Sequence, residues 1–179
     1  MSKPLIICGS AACFFKDLRR AEVLLPLVER QGRAKTDVAC ANYTALYYPY
    51  FFEHWISYHI ELLSAIKKYV KGTPVVHSTR PDPSVDRVWN FDDFTCTDSG
   101  LLSVKIALGL GYDRIVLVGM PIDNTPKFFS PNEPCQFDAT NIRKAWEGES
   151  QAFTVRVRSF SGFTKRLLGE PSKEWLNGD

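Results

Sequence analysis

The sequence predicts an α/β protein with a Rossmann-like core, a three-layer α/β/α arrangement around a mostly parallel sheet. Three observations predict it. Arg114-Ile115-Val116-Leu117-Val118-Gly119 is a strand apolar on both faces, the pattern of a parallel strand covered on both sides. The helix before it carries Leu101, Leu102, Val104, Ile106, Ala107, Leu108 and Leu110 almost all round, so it is buried. Residues 4–8 form a short apolar strand that runs into the small-residue loop Gly9-Ser10-Ala11-Ala12, at the strand end where ligands bind in open α/β sheets.

The chain has 179 residues, 45% hydrophobic and 13% aromatic, enough for one domain over residues 1–179 with one core. Charged residues make up 23% and the net charge is +2, so neither disorder nor a strong nucleic-acid signal follows. No apolar run approaches a membrane span. Leu5 to Ile7 is the only purely aliphatic stretch near the start and charges return at Lys16 and Asp17, which reads as a strand rather than a secretory leader. The five cysteines, at 8, 13, 40, 96 and 135, show no C-x-x-C spacing and fit free thiols in a reducing cytoplasm, with Cys8 and Cys40 in the core. A cytoplasmic location follows; a homo-oligomer stays open.

The remaining elements are read in order. A helical pattern spans 14–31, kinked at Pro26 and ending at Gly32. Asp37 to Ala41 is a second strand, stopped by Asn42. The aromatic stretch 43–60 is poorly periodic and suggests a short helix near 49–54, then a strand from Trp55 to His59. An amphipathic helix covers 61–70, a strand Thr73 to His77, a proline loop 78–84 and a short strand Val85 to Phe91. Thr97-Asp98-Ser99-Gly100 opens the buried helix. A three-proline loop spans 124–138, a helix 139–148, a strand Thr154 to Arg158 and a short basic helix Ser161 to Gly169, followed by a polar tail.

Five places are candidates for chemistry. Gly9 and Ser10 sit in the first loop, where small residues admit a ligand close to the backbone; the loop matches neither the three-glycine dinucleotide fingerprint nor a P-loop, and a plain tight turn is its other reading. Asp98, Ser99 and Gly100 gather hydroxyls and unpaired N–H groups at a helix start, an anion site with Ser99 and Gly100 as the better contacts, or an ordinary cap. Asp123 lies just past a central strand, placed for a metal or a sugar hydroxyl, or as a turn cap. His59 and His77 can act as acid or base near neutral pH, or serve as structural residues; no spacing supports a zinc site, and no metal site is assigned. Arg156 and Arg158 share a face of the last strand, with Lys165 and Arg166 beyond, able to hold phosphate or to form a solvated edge.

Taken together, the strand into the small-residue loop, Cys40-Ala41-Asn42, Ser99-Gly100, the run Ala107-Leu108-Gly109-Leu110-Gly111-Tyr112-Asp113-Arg114-Ile115-Val116-Leu117-Val118-Gly119 and Asp123 resemble a superfamily that joins bacterial sialyltransferases using CMP-sialic acid to pterin pyrophosphokinase-like proteins. The chain is most similar to small phage-encoded members of it, and residues 157–169 fit that subgroup. Residues 97–119 carry the specific part. The resemblance implies that Gly9, Ser10, Asn42, Ser99 and Gly100 contact a nucleotide, with phosphate at the helix start and Asn42 on base or ribose. Two departures stand out. The family's Gly-Asn-Gly-Pro-Ser loop is here Gly9-Ser10-Ala11-Ala12-Cys13, and no histidine follows His77. They point away from sialyl transfer as such.

Three functional expectations follow. The first is a nucleotide-dependent, glycosyltransferase-like transferase with a nucleotide-sugar (a CMP-sugar, for instance) or diphosphate donor. In it Asp123 or His59 assists proton transfer and a magnesium ion assists the phosphate. The second is a catalytically degenerate module that binds a nucleotide without turnover. The third is a phage accessory protein whose aromatic stretch 43–58 is an interface.

Overall fold

A computed structural model describes residues 3–27, 36–91, 98–133 and 139–178. The expected helix end at Gly32, the helix opening at Thr97, Cys96 and Cys135 lie outside the described residues.

The apolar strands assemble as a seven-stranded, all-parallel sheet. Its strands are β1 (Pro4–Cys8), β2 (Asp37–Ala41), β3 (His54–Ile56), β4 (Val75–Ser78), β5 (Arg87–Val88), β6 (Arg114–Val118) and β7 (Val157–Ser159). Their spatial order is β5-β4-β3-β2-β1-β6-β7. The chain winds outward from β1 in one direction, then returns to the other side of β1 through β6. The β1/β6 junction is therefore a topological switch point, where the two flanking loops part and leave a crevice.

Side-chain alternation along each strand divides the core in two. Ile6, Cys8, Val38, Cys40, Trp55 and Val116 face one layer with Phe14, Leu18 and Leu63. Leu5, Ile7, Ala39, Ile56, Ile115 and Leu117 face the other with Leu101, Val104, Trp146 and Phe153. The first layer is built on α1 (Phe14–Leu24) and α3 (Ile60–Ile66), the second on α4 (Ser99–Gly109) and α5 (Ala139–Phe153). The three layers and the parallel sheet expected from the sequence are present. Cys8 and Cys40 are buried free thiols, paired in register on β1 and β2.

Several element boundaries differ from the sequence reading, each for a local reason. Helix α1 stops at Leu24, and Leu25 is already extended, because Pro26 cannot continue the ladder. The short helix of the aromatic stretch is α2 (Thr44–Tyr47), not 49–54. Tyr48 precedes Pro49 and is extended, as a residue before proline prefers. The strand expected over Trp55 to His59 is His54–Ile56. It ends because the Ser57 hydroxyl donates to Asn42 Oδ1 at 2.7 Å and accepts from the His59 N–H at 2.9 Å, which turns the chain. The helix at 61–70 is α3 followed by a 3-10 turn, Lys67–Tyr69. Only Arg87 and Val88 of the 85–91 segment pair as a strand.

Helix α5 runs five residues past 148 to Phe153, and Thr154 and Arg156 continue its last turn through their N–H groups. Arg156 therefore lies outside β7, and the two arginines do not share a strand face. Arg158 donates to the Leu168 carbonyl at 2.7 Å and stacks on Trp175 at 5.3 Å. It is spent on fixing α6 (Gly162–Leu168) and α7 (Lys173–Asn177). The polar tail is helical at α7, with the Ser172 hydroxyl accepting from the Trp175 N–H. Among the described residues, no helix is long and apolar enough to cross a membrane.

Candidate functional site at the strand switch point

Loops leaving the carboxyl ends of β1, β2 and β6 meet the start of α4 around a cleft of about 530 Å³. Gly9, Ser10, Asn42, His59, Asp98, Ser99, Gly100 and Asp123 all line it. Residues up to 114 positions apart in the chain, selected from five separate segments, thus face one space. His77 does not join them; it is fully buried in the sheet.

The cleft walls are held by the backbone. Gly9 donates its N–H to the Val118 carbonyl at 2.8 Å and Ala11 to Gly119 at 3.1 Å, tying the β1 loop to the β6 loop. A Cβ on Gly9 would lie 2.5 Å from Met120 Cγ and 2.6 Å from the Gly119 carbonyl. The bareness of Gly9 therefore serves loop-on-loop packing, and its Cα face is covered by Met120. Behind this seam the fully buried Asp17 accepts from the Gly119 N–H at 3.1 Å and from the Ser161 hydroxyl at 2.6 Å. Burial, with Asp17 beside it, pushes the Cys13 thiol up to about 12, so this cysteine is not a nucleophile at neutral pH.

Asn42 occupies the left-handed region at φ 51°, which asparagine tolerates better than most residues. Its N–H donates to Ile56, its carbonyl accepts from the Trp55 indole at 3.0 Å and its Oδ1 accepts from Ser57 at 2.7 Å. The side-chain oxygen is committed to the fold, so only the amide NH₂ is offered to a ligand. Ile122 is the second non-glycine at positive φ, 47°. A β-branched residue there stores strain, and it is pinned by Arg143, which donates to its carbonyl at 2.8 Å.

Asp98 settles as a helix cap. Its carboxylate accepts from the N–H groups of Gly100 at 3.0 Å and Leu101 at 3.1 Å, and from the Trp146 indole at 2.8 Å. Two of the amides that the sequence offered to an anion are thereby taken. Ser99 is 3% exposed, and its hydroxyl accepts from the Tyr58 N–H at 3.1 Å. Asp123 Oδ1 accepts from both the N–H and the hydroxyl of Thr125, at 3.1 and 2.6 Å. It closes an Asx turn while still bordering the cleft.

Apart from Ile142 on α5, four cleft residues escaped the sequence reading: Thr125, Lys127, Ser130 and Glu133. They lie in the proline-rich loop, which had no periodic signal. A backbone bridge between Ala11 and Lys127 and the bond from the Phe128 N–H to the Ser10 carbonyl at 2.9 Å bring them in. Lys127 is the one lysine or arginine lining the cleft among the described residues, against the carboxylates of Asp98, Asp123 and Glu133. Among the described residues, no group of three or more His, Cys, Asp or Glu is placed to hold a metal ion. With Asp98 capping a helix and Asp123 closing a turn, the donors present do not make a magnesium cage, and no step is derived through one.

The aromatic stretch divides. Tyr48, Phe52 and Trp55 are core residues, whereas Tyr43, Tyr47, Tyr50 and Phe51 are exposed. Tyr47 stacks on Phe129 at 4.9 Å, beside Phe128 and Phe15, and Lys127 lies over Tyr43 and Phe129. These rings form an aromatic lip next to the cleft.

The fold and the cleft define a class: an open, doubly wound parallel α/β protein with a cleft at its switch point. Within that class no family model matches the chain, no curated protein matches it, and no solved structure matches it.

Proposed function

We propose that the chain is a nucleotide-dependent transferase whose donor, a nucleotide-sugar or nucleoside diphosphate, occupies the switch-point cleft. The observation that supports this most is convergence. Eight residues chosen from the sequence for ligand chemistry line one concave site where the β1 and β6 loops part. In this reading the Asn42 amide binds the base or ribose. The backbone of Ser10, with Lys127, receives phosphate, since the α4 amides of Gly100 and Leu101 are occupied. His59 moves the proton at the reacting hydroxyl, and Asp123 takes a sugar hydroxyl through the oxygen not used by Thr125. The sequence resemblance of residues 97–119 to the CMP-sialic-acid and pterin pyrophosphokinase superfamily favours the same donor class.

A second reading, binding without turnover, is favoured by the first loop, Gly9-Ser10-Ala11-Ala12-Cys13, and by the absence of any histidine after His77. The Asp98 cap and the three carboxylates that line the cleft with one lysine weigh against a bare polyphosphate in either reading.

Thermal shift against CMP, a CMP-sugar and ATP, with and without magnesium, followed by chromatography of the incubated nucleotide, tests both. A ligand at one hundred times its Kd stabilises by about 2.7 kcal/mol. A shift with consumption supports transfer, a shift without consumption supports the binding module, and no shift with any of them overturns the nucleotide reading.

A further inference from the structure

We infer that Glu61 is a positioning residue for His59, and that it shifts the neutral imidazole toward the Nδ1–H tautomer, in which the Nε2 lone pair is the base at the cleft. The sequence marked His59 without a partner and did not mark Glu61 or Arg80. The role of His59 in proton transfer rests on the transferase reading; the tautomer does not.

The argument starts from the local chain. His59 is the cap residue of α3 and Glu61 is in its first turn. His59 Nδ1 lies 3.2 Å from Glu61 Oε1. A carboxylate only accepts, so Nδ1 carries the proton in this pair, and in neutral imidazole the other nitrogen is then bare. Glu61 stays ionised: the backbone N–H of its own residue, then His59 and Arg80, hold its carboxyl below the usual range. Nε2 has no hydrogen-bond partner among the described residues, and His59 lines the cleft.

Glu61 is itself held. Arg80 Nη2 lies 3.5 Å from Glu61 Oε2 and donates to the Tyr58 carbonyl at 3.1 Å. Its guanidinium sits 5.4 Å over the Tyr58 ring, and that ring stands edge-on to His59 at 5.8 Å. Tyr58 is in turn fixed to the cleft floor, its N–H donating to Ser99 Oγ. The linker after β3, the first turn of α3 and the loop after β4 thus meet in one unit. Its two anchors are a carboxylate on Nδ1 and an arginine on the carboxylate, the arrangement that sets which imidazole nitrogen is basic.

The chain has three histidines, which makes the test direct. Long-range ¹H–¹⁵N NMR on the labelled full chain, at a pH where all three are neutral, reads each tautomer. His59 is expected to show the largest Nδ1–H share of the three. His77, whose Nδ1 accepts from the Trp89 indole, and His54, whose Nδ1 faces His77 Nε2, are expected as Nε2–H. In E61A the Nδ1–H to Nε2–H ratio of His59 is expected to fall about twofold to fivefold, the range of an exposed charged pair. Unchanged His54 and His77 signals then report that the fold is intact. An Nδ1–H share for His59 no larger than that of His54 and His77, or a ratio unmoved in E61A, overturns the inference. Failure of every nucleotide to bind would instead remove the transferase reading and leave the tautomer result standing.

Discussion

His54 Nδ1 and His77 Nε2 lie 3.0 Å apart on adjacent strands, in the middle of a chain of hydrogen bonds whose direction is fixed at both ends. The Trp89 indole donates to His77 Nδ1 at 3.0 Å, and an indole can only donate. His77 is therefore protonated on Nε2 and donates to His54 Nδ1. His54 in turn donates from Nε2 to the Tyr112 hydroxyl at 3.0 Å, and Tyr112 donates to Asp37 at 2.5 Å. Five residues from β2, β3, β4, the segment after β5 and the turn before β6 share one polarity. Neither imidazole can take a second proton without losing an acceptor.

Acid should therefore destabilise the protein over a defined window. Burial, then the neighbouring His54 and Arg87, pushes His77 down to about 4, and burial also lowers His54. A histidine lowered in the folded state binds fewer protons there than in the unfolded chain. Its stability contribution is complete above the unfolded value of 6.5 and is lost as pH falls from 6.5 toward 4. For the fully buried His77 alone this amounts to on the order of 3 kcal/mol. Urea midpoints measured at pH 7 and pH 4.5 check it: the midpoint should fall in acid for the wild type. H77Q should be less stable at pH 7 and show a flatter dependence on pH.

The relay also shows what a sequence hides. Asp37, His54, His77, Trp89 and Tyr112 carry no common spacing, and only the packing of β2, β3 and β4 with the segments after β5 and before β6 makes them neighbours. The sheet itself was legible, because strands such as 4–8, 37–41 and 114–118 are apolar on both faces and helix α4 is apolar all round. The cleft was legible for a related reason: small residues and polar caps just past an apolar strand lie at the same sheet edge whatever their separation in the chain. What could not be read was which donors those groups had already used. The sequence Asp98-Ser99-Gly100 suits a cap or a phosphate equally, and Trp146, placed 48 residues later, completes the cap. The Lys127 loop had no periodicity to place it.

Asp98→Ala should be costly for a residue beside a cleft. It leaves the Gly100 and Leu101 amides and the Trp146 indole without their acceptor. Trp146 is fully buried. Loss of a cap and of a buried acceptor together should lower stability by about 2–4 kcal/mol. Asp98→Asn, which keeps one acceptor oxygen, should lose less. Thermal unfolding of the two variants beside the wild type gives the order directly, and a loss well below this range in Asp98→Ala would mean that the cap contributes little.

Gly9→Ala tests the seam between the β1 and β6 loops. The new Cβ meets the Gly119 carbonyl, which cannot move without breaking the bond from Ala11. Overpacking of this kind should cost about 1–3 kcal/mol. Ser10→Ala, one residue on, should cost within about 0.5 kcal/mol, as expected for a residue not fully buried whose backbone carbonyl is its structural contact. Comparable urea midpoints for the two variants would show that the loops are not packed as described.

Asn42 separates structure from ligand contact. Its φ of 51° costs any ordinary side chain about 1 kcal/mol, and its Oδ1 holds Ser57. Asn42→Ala carries both penalties and should lose about 1–3 kcal/mol of stability, whereas Asn42→Gly relieves the backbone and should lose clearly less. Neither variant keeps the side-chain amide. If that amide reads the nucleotide, both variants should lose the same affinity, about tenfold for one hydrogen bond of about 1.4 kcal/mol, despite their different stabilities. Titration calorimetry with the nucleotide that gives the largest thermal shift makes the comparison. Affinity that follows stability, weaker in Asn42→Ala than in Asn42→Gly, would assign Asn42 to the architecture of the cleft and not to its ligand.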